Sequence, residues 1–182
     1  MTLRIAGGLF RSRILKTPRG NKTRPTTEMT RSAVFNICQR MIEGARFLDL
    51  FAGSGAMGFE AISRGACFAT FVESDRQAAE CIRDNAEALG LQQQVQILTM
   101  DVKLALNRLM SPFDLIYIDP PYEKETIDIL NTIVQKKLLA PHGRLFLEER
   151  YQSKVLPIVD NLERIESRRY GLAHIHQFRS IE

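Results

Sequence analysis

Residues 46–58 read RFLDLFAGSGAMG, and the turn inside that stretch decides the fold. FLDLF is a short apolar strand interrupted by one acid, Asp49. Gly53, Gly55 and Gly58 satisfy G-x-G-x-x-G, and the helical pattern FEAISRG follows at once, closed by Gly65. Strand, glycine turn and helix in that order open an α/β sheet, with bare backbone where a ligand can lie at the carboxyl edge. Toward the carboxyl end the alternation continues. ATFVES is a second strand, DRQAAECIRDNAEALG a helix capped by Asp75 and ended by Gly90, VQILTM a third strand and VKLALNRLM a helix. FDLIYI is a fourth strand, apolar on both sides of its pleat; ETIDILNTIVQKKLL is a helix stopped near Pro141, and GRLFLEE a fifth strand. ERIESRRY and LAHIHQFRS pair about Gly171 as two antiparallel strands. Such a chain forms an open, mostly parallel sheet with helices on both faces.

Toward the amino end, residues 3–16 alternate around Gly7–Gly8 and predict a β-hairpin. Residues 17–27 are rich in Pro, Gly, Thr and basic groups and predict a loop. A helix opens at Thr27–Glu28, with Ala33, Phe35, Ile37, Cys38 and Met41 at buried spacing. The chain thus divides into a basic extension over 1–44 and an α/β domain over 45–182.

At 182 residues the chain is the length of one domain. Its composition, 45% hydrophobic and 25% charged, excludes wholesale disorder. No apolar run reaches the roughly 18 residues of a membrane span, and Arg4 interrupts the one signal-like start. Cys38, Cys67 and Cys81 show no C-x-x-C spacing, which argues against a disulfide framework or a cysteine zinc site and fits a reducing cytoplasm. Cys67 and Cys81 read as small buried hydrophobes. The net charge of +4 is segregated: residues 1–44 hold nine Lys/Arg against Glu28 and Glu43. A basic arm of this kind suits a polyanion partner, although a solvated face would give the same composition.

Glu73 ends the second strand, where a carboxylate can accept from both hydroxyls of a ribose, and Asp101 ends the third, where it can meet the amino group of an adenine. The glycine pattern alone leaves three readings open: a nicotinamide dinucleotide, a nucleoside cofactor without phosphates, or a turn with no ligand. Asp49 bears on the choice. A carboxylate just before the loop repels a pyrophosphate yet suits the ammonium and sulfonium charges of S-adenosylmethionine (SAM). Carboxylates at three successive strand ends therefore favour SAM over NAD.

Asp119-Pro120-Pro121-Tyr122 follows the fourth strand directly. Two prolines cannot continue a ladder, and they stiffen the bend. The bend sets the Asp119 carboxylate and the Pro120 carbonyl side by side with the Tyr122 ring nearby, a set that suits a planar exocyclic amine on a stacked base. Such an amine is a poor nucleophile, and acceptors that orient its lone pair and stabilise its developing charge lower the barrier.

RIAGGLFRSRIL, TRPTTEMTRSAVFN, FLDLFAGSGAMGFEAISRGA, FVESD and DPPY together resemble the RsmD family of bacterial 16S ribosomal RNA guanine-N2 methyltransferases, over nearly the whole chain. The resemblance implies a Rossmann-like class I SAM-dependent methyltransferase whose seven-stranded sheet has its seventh strand inserted antiparallel. It also implies that the loop Asp49 to Gly58, with Phe51, Gly53, Gly55 and Gly58, holds the methionine part of the cofactor and Glu73 the ribose. Asp101 and Val102 would hold the adenine, and Asp119, Pro120, Pro121 and Tyr122 the target guanine. Met29 and Ser32 depart from the arginine and glutamate usual in such sequences.

The chemistry expected is direct in-line methyl transfer, with Asp119, Pro120 and Tyr122 catalytic and no covalent enzyme intermediate. Arg4, Arg11, Arg13 and Arg24 would grip phosphates of ribosomal RNA, naked or within a small-subunit particle. His174 and His176 share a strand face without an evident third ligand, so no metal is expected. Nothing in the sequence demands more than a monomer. An adenine-N6 DNA methyltransferase is the nearest rival, and a nucleic-acid-binding protein with a vestigial SAM site lies outside enzymology.

Overall fold

Residues 2–18, 27–121, 126–150, 158–159 and 161–181 are described by the structure, a computed structural model. Tyr122 and Arg24 lie outside these residues, as does most of the expected basic loop. In chain order the elements are α1 (Glu28–Ile37), β1 (Arg46–Leu50), α2 (Ala56–Ser63), β2 (Phe68–Val72), α3 (Arg76–Leu89) and β3 (Val95–Leu98). There follow α4 (Val102–Arg108), β4 (Phe113–Ile118), α5 (Thr126–Gln135), β5 (Leu139–Arg150), β6 (Ile158–Val159), β7 (Leu162–Tyr170) and β8 (Ala173–Ser180).

One sheet runs β3-β2-β1-β4-β5-β8-β7-β6. The first five strands are parallel, and β8 is inserted antiparallel between β5 and β7. To the seven strands expected, the two-residue β6 adds a short antiparallel edge. The fold is that of a Rossmann-like class I methyltransferase. The strand order reverses between β1 and β4, and in open α/β sheets ligands bind at the carboxyl ends beside such a reversal.

The period-two pleat sorts the core into two layers. Phe47 and Phe71 face α1, α2 and α3, meeting Phe35, Phe59 and Ile82. Leu48, Leu50, Ile116 and Ile118 face α4 and α5, meeting Leu106, Ile129 and Ile133. Thr27 caps α1 through Thr30 N–H, Asp75 caps α3 through Ala78 N–H, and Gly90 ends α3 in the left-handed conformation.

The amino-terminal segment forms a short hairpin, its arms joined by Ile5 N–H to Arg13 O and Leu15 N–H to Leu3 O, both at 3.0 Å. It has a single antiparallel bridge, Arg4 to Ile14. The tip closes on itself through Arg11 N–H to Gly8 O and Ser12 N–H to Ile5 O, and it docks on α2: Leu9 N–H donates to Ser63 O at 2.6 Å, Phe10 N–H to Ser63 Oγ at 2.9 Å, and Ser63 Oγ–H to Gly7 O at 2.6 Å. A Cβ at Gly8 (φ +78°) would lie 1.7 Å from Ser63 O, so only glycine fits. Leu3, Ile5 and Leu15 join the same apolar layer as α1 and α2.

Three local readings are corrected. Helix α5 ends at Gln135, Lys137 takes φ 52°, and Pro141 stands exposed inside β5 rather than stopping the helix. Cys67 is exposed and Cys81 half-buried; of the three thiols only Cys38 is buried. Helix α1 turns Thr30, Arg31, Val34 and Phe35 inward, leaving Ala33 and Ile37 partly exposed.

Candidate active site

The register fixes the rim. Leu50 pairs with Val72 on one side and Ile118 on the other. The next residues, Phe51, Glu73 and Asp119, therefore stand level at the ends of three adjacent strands. Asp49 lies just below, 2% exposed, and its Oδ2 accepts from Gly58 N–H at 3.0 Å, joining β1 to the first turn of α2. A Cβ at Gly58 would lie 2.2 Å from Phe71 Cε1, so this glycine lets α2 pack on β2. Phe51 (φ 62°), Gly53 (φ 55°) and Gly55 (φ 79°) carry the chain over the rim in left-handed conformations. Gly53 faces open space, with nothing within 4 Å of where a side chain would begin.

Glu73 ties two loops together: Oε2 accepts from Gly53 N–H at 2.7 Å and Oε1 from Asp75 N–H at 2.8 Å. Each oxygen keeps a further lone pair. Asp101 is exposed and caps α4 by accepting from Lys103 N–H, while Val102 is buried in the α4–α5 layer. Asp119 and Pro120 are half-buried and Pro121 is exposed. Burial pushes the Asp49 carboxyl well above the ordinary carboxylate range; the Gly58 hydrogen bond opposes this, and the like charges of Asp119 and Glu73 add to it. A rim so loaded with carboxylates favours a cation.

The basic candidates among the described residues, Arg4, Arg11 and Arg13, lie elsewhere. Arg4 donates to Ser12 O at 2.9 Å, and Arg13 reaches Ala88 O at 3.5 Å, near the carboxyl end of α3. Arg11 is exposed in the tip that docks on the carboxyl end of α2. That tip stands about 12 Å below the glycine loop, the length of an eight-residue helix.

A family model described as Conserved hypothetical protein 95 matches residues 3–179. The Bacillus subtilis protein YlbH is 32% identical over 177 residues, covering 95% of this chain and 96% of that one. The Ribosomal RNA small subunit methyltransferase D of Escherichia coli K12 is 31% identical over 152 residues, covering 83% of this chain and 76% of that one. The chain belongs to the RsmD family. A solved structure from Escherichia coli, yhhF, superposes with a TM-score of 0.89 at 26% identity over 100% of both chains.

Pattern reading misses several polar residues that tie this RsmD-family fold together. Glu60, fully buried on α2, accepts from Ala6 and Gly7 N–H at 2.7 and 2.8 Å and pairs with Arg64 at 2.7 Å and Arg31 at 4.0 Å. Arg31 is 2% exposed and donates to Arg4 O, and burial lowers its pKa against the opposing pull of Glu60 and Glu28. Asn85 donates to Ser54 O and Lys16 O and accepts from Lys16 N–H. Tyr117, on β4 two residues before Asp119, donates its hydroxyl to Glu148 on β5. His174 and His176, which the sequence already places on one strand face, meet edge-on at 5.4 Å, with His176 Nε2 3.4 Å from Glu149.

Asp49 yields a stability prediction. Its folded pKa is raised above the ordinary 3.8, so its contribution to stability is fully present below pH 3.8 and is lost as pH rises toward the folded value. Asp49→Asn keeps an oxygen for Gly58 N–H and carries no charge. Without ligand, the variant is expected to melt above the wild type at pH 7, each 1 kcal/mol being about 2–4 °C, with the gap closing toward pH 4. Scanning calorimetry across pH checks this, and a gap independent of pH would refute it.

Proposed function

We propose that this methyltransferase transfers the methyl group of SAM to the exocyclic N2 amine of a guanine in small-subunit ribosomal RNA. The observation that carries the reading is the level stand of Glu73 and Asp119 on either side of the glycine loop, with buried Asp49 beneath it. The residues fit the group: Asp49 faces an unfavourable burial that a cation relieves, Gly53 leaves the rim open, and Glu73 retains lone pairs for two ribose hydroxyls. The substrate is drawn from the relative named Ribosomal RNA small subunit methyltransferase D, and from a stiff Asp-Pro-Pro corner suited to an aromatic amine.

When bound, SAM supplies an electrophilic methyl group. The chain does the rest by placement. Asp119 and the Pro120 carbonyl accept the two N–H groups of the guanine amine, turn its lone pair toward the methyl carbon and stabilise the positive charge that grows on nitrogen. The transfer is direct, and neither Cys38, buried under α1, nor exposed Cys67 takes part. Asp101 and Val102 hold the adenine at the amino end of α4.

Incubation of the protein with methyl-labelled SAM and small ribosomal subunits lacking the modification, followed by digestion to nucleosides, tests the proposal. N2-methylguanosine is the expected label carrier. Label in adenosine, or none in RNA under conditions where SAM binds, would overturn it. Glu73→Ala is expected to weaken SAM binding by roughly ten-fold to a hundred-fold, since hydrogen bonds to a charged acceptor contribute about 1.5–3 kcal/mol each. Isothermal calorimetry measures this, and an unchanged affinity would remove Glu73 from the ribose.

A further inference from the structure

The rim that carries Asp119 continues sideways toward the β7–β8 turn. β8 runs antiparallel to β5 with Arg150 opposite Ala173, so the β7–β8 turn at Gly171 stands on the same rim as the glycine loop. β7 is three strands from β4, about 14 Å at 4.8 Å per strand. Among the described residues, β6 pairs with β7 only at Leu162 and Glu163, which leaves the outer edge from Arg164 to Tyr170 without a strand. Arg164, Arg168 and Arg169 are all exposed along it.

Glu166, Arg168 and Tyr170 pair across to Gln177, Ile175 and Ala173, and Ile175 belongs to the layer under α1. These three side chains therefore share the α1 face. With Ala33, Asn36 and Ile37 of α1 they line an open groove of about 460 Å³. The lining has the parts a nucleotide needs. Tyr170 packs partly against the core, which holds its ring in place, and Asn36 is an exposed amide that both donates and accepts. Arg168 is 54% exposed, with Nε braced on Glu166 at 2.6 Å. Exposed Met29, one of the two departures from family pattern, lies by Gly171 and extends the apolar lip toward the rim.

We propose that this groove holds a nucleotide flanking the target base, with Tyr170 stacking on its ring and Arg168 on its phosphate. The inference rests on the RNA reading above. Arg168 presents its charge on the groove face, and Arg164 and Arg169, which the register turns to the opposite face of the same strand, add positive charge around it. That charge favours a phosphate backbone over a second copy of this chain, which would bring like charges together.

Arg168→Ala and Tyr170→Leu test it; the first removes an exposed head group and the second keeps apolar packing while losing the aromatic face. Binding of small-subunit ribosomal RNA transcribed in vitro is measured over a salt series. Arg168→Ala is expected to weaken binding several-fold and lower the slope of log K against log salt by about one. Tyr170→Leu should weaken binding on the order of ten-fold with the slope unchanged. SAM affinity and the rate at saturating RNA should stay within about two-fold of wild type. RNA affinity and slope equal to wild type in both variants would overturn the groove, as would a wild-type dimer that Arg168→Ala dissociates. The assay needs no methyl transfer, so the two readings fail separately. A wild type that labels guanine while both variants bind normally loses only the groove, and one that shows the expected binding losses but labels no guanine loses only the reaction.

Discussion

Replacing Asp119 with Ala is expected to lower kcat by at least about a hundred-fold while SAM affinity stays within about two-fold of wild type. The size follows from losing a charged acceptor aimed at charge that develops only in the transition state, where single preorganised contacts are worth about a hundred-fold to a thousand-fold. The separation follows from geometry. Asp119 stands at the end of β4, whereas Gly53, Gly55 and Glu73 hang from β1 and β2 and are tied to one another by the Gly53–Glu73 hydrogen bond. Removing the Asp119 carboxylate also relieves like charge on buried Asp49, so cofactor binding has no cause to suffer from that side. Single-turnover rates with saturating SAM, alongside calorimetric titration, measure both limbs. A variant that keeps the wild-type rate would remove Asp119 from the chemistry, and a parallel collapse of SAM affinity would move it to the cofactor.

The largest stability loss is expected at Glu60, far from any reacting atom. Glu60→Ala deletes a carboxylate that meets Arg31, Arg64 and the N–H groups of Ala6 and Gly7 together. Arg64, which also lies over the Phe35 ring at 5.4 Å, is partly exposed and can turn to water. Arg31, at 2% exposure, cannot, although it keeps Arg4 O as an acceptor. Breaking a buried pair by removing one partner costs about 3–5 kcal/mol, which in a domain of this size is roughly 10 °C in Tm. Urea titration and calorimetry measure the loss. Trypsin should then cut at Arg11 or Arg13 well before the sheet unfolds, because the contacts that seat the tip on α2 go first. A Tm within a degree or two of wild type would show that the cluster is replaceable.

What the sequence made legible is what local chemistry dictates. The glycine turn, the caps at Asp75 and Gly90, the alternation of apolar strands with amphipathic helices and the strand-end positions of Asp49, Glu73 and Asp119 all follow from residues within a few positions of each other. Glu60 was hidden for the opposite reason. In FEAISRG it reads as an ordinary helical glutamate paired with Arg64, and its backbone partners, Ala6 and Gly7, arrive from more than fifty residues upstream. Arg31 was counted in the basic arm because composition cannot distinguish a buried guanidinium from an exposed one. Pro141 misled because Lys137 turns the chain through the left-handed region first, leaving the proline in an exposed stretch of β5. The Tyr117–Glu148 bond joins the inward faces of two strands and depends on register, which no spacing within either strand reveals.

The carboxamide of Asn85 has a mechanical consequence. It laces the backbone of Lys16 to the carbonyl of Ser54 from a third element, α3. Segments with such shared bonds open together rather than fray singly, as one foldon. The strap at the amino end, the third helix and the glycine loop are thus expected to open as one cooperative unit, so that slack introduced into any of them is felt by the other two.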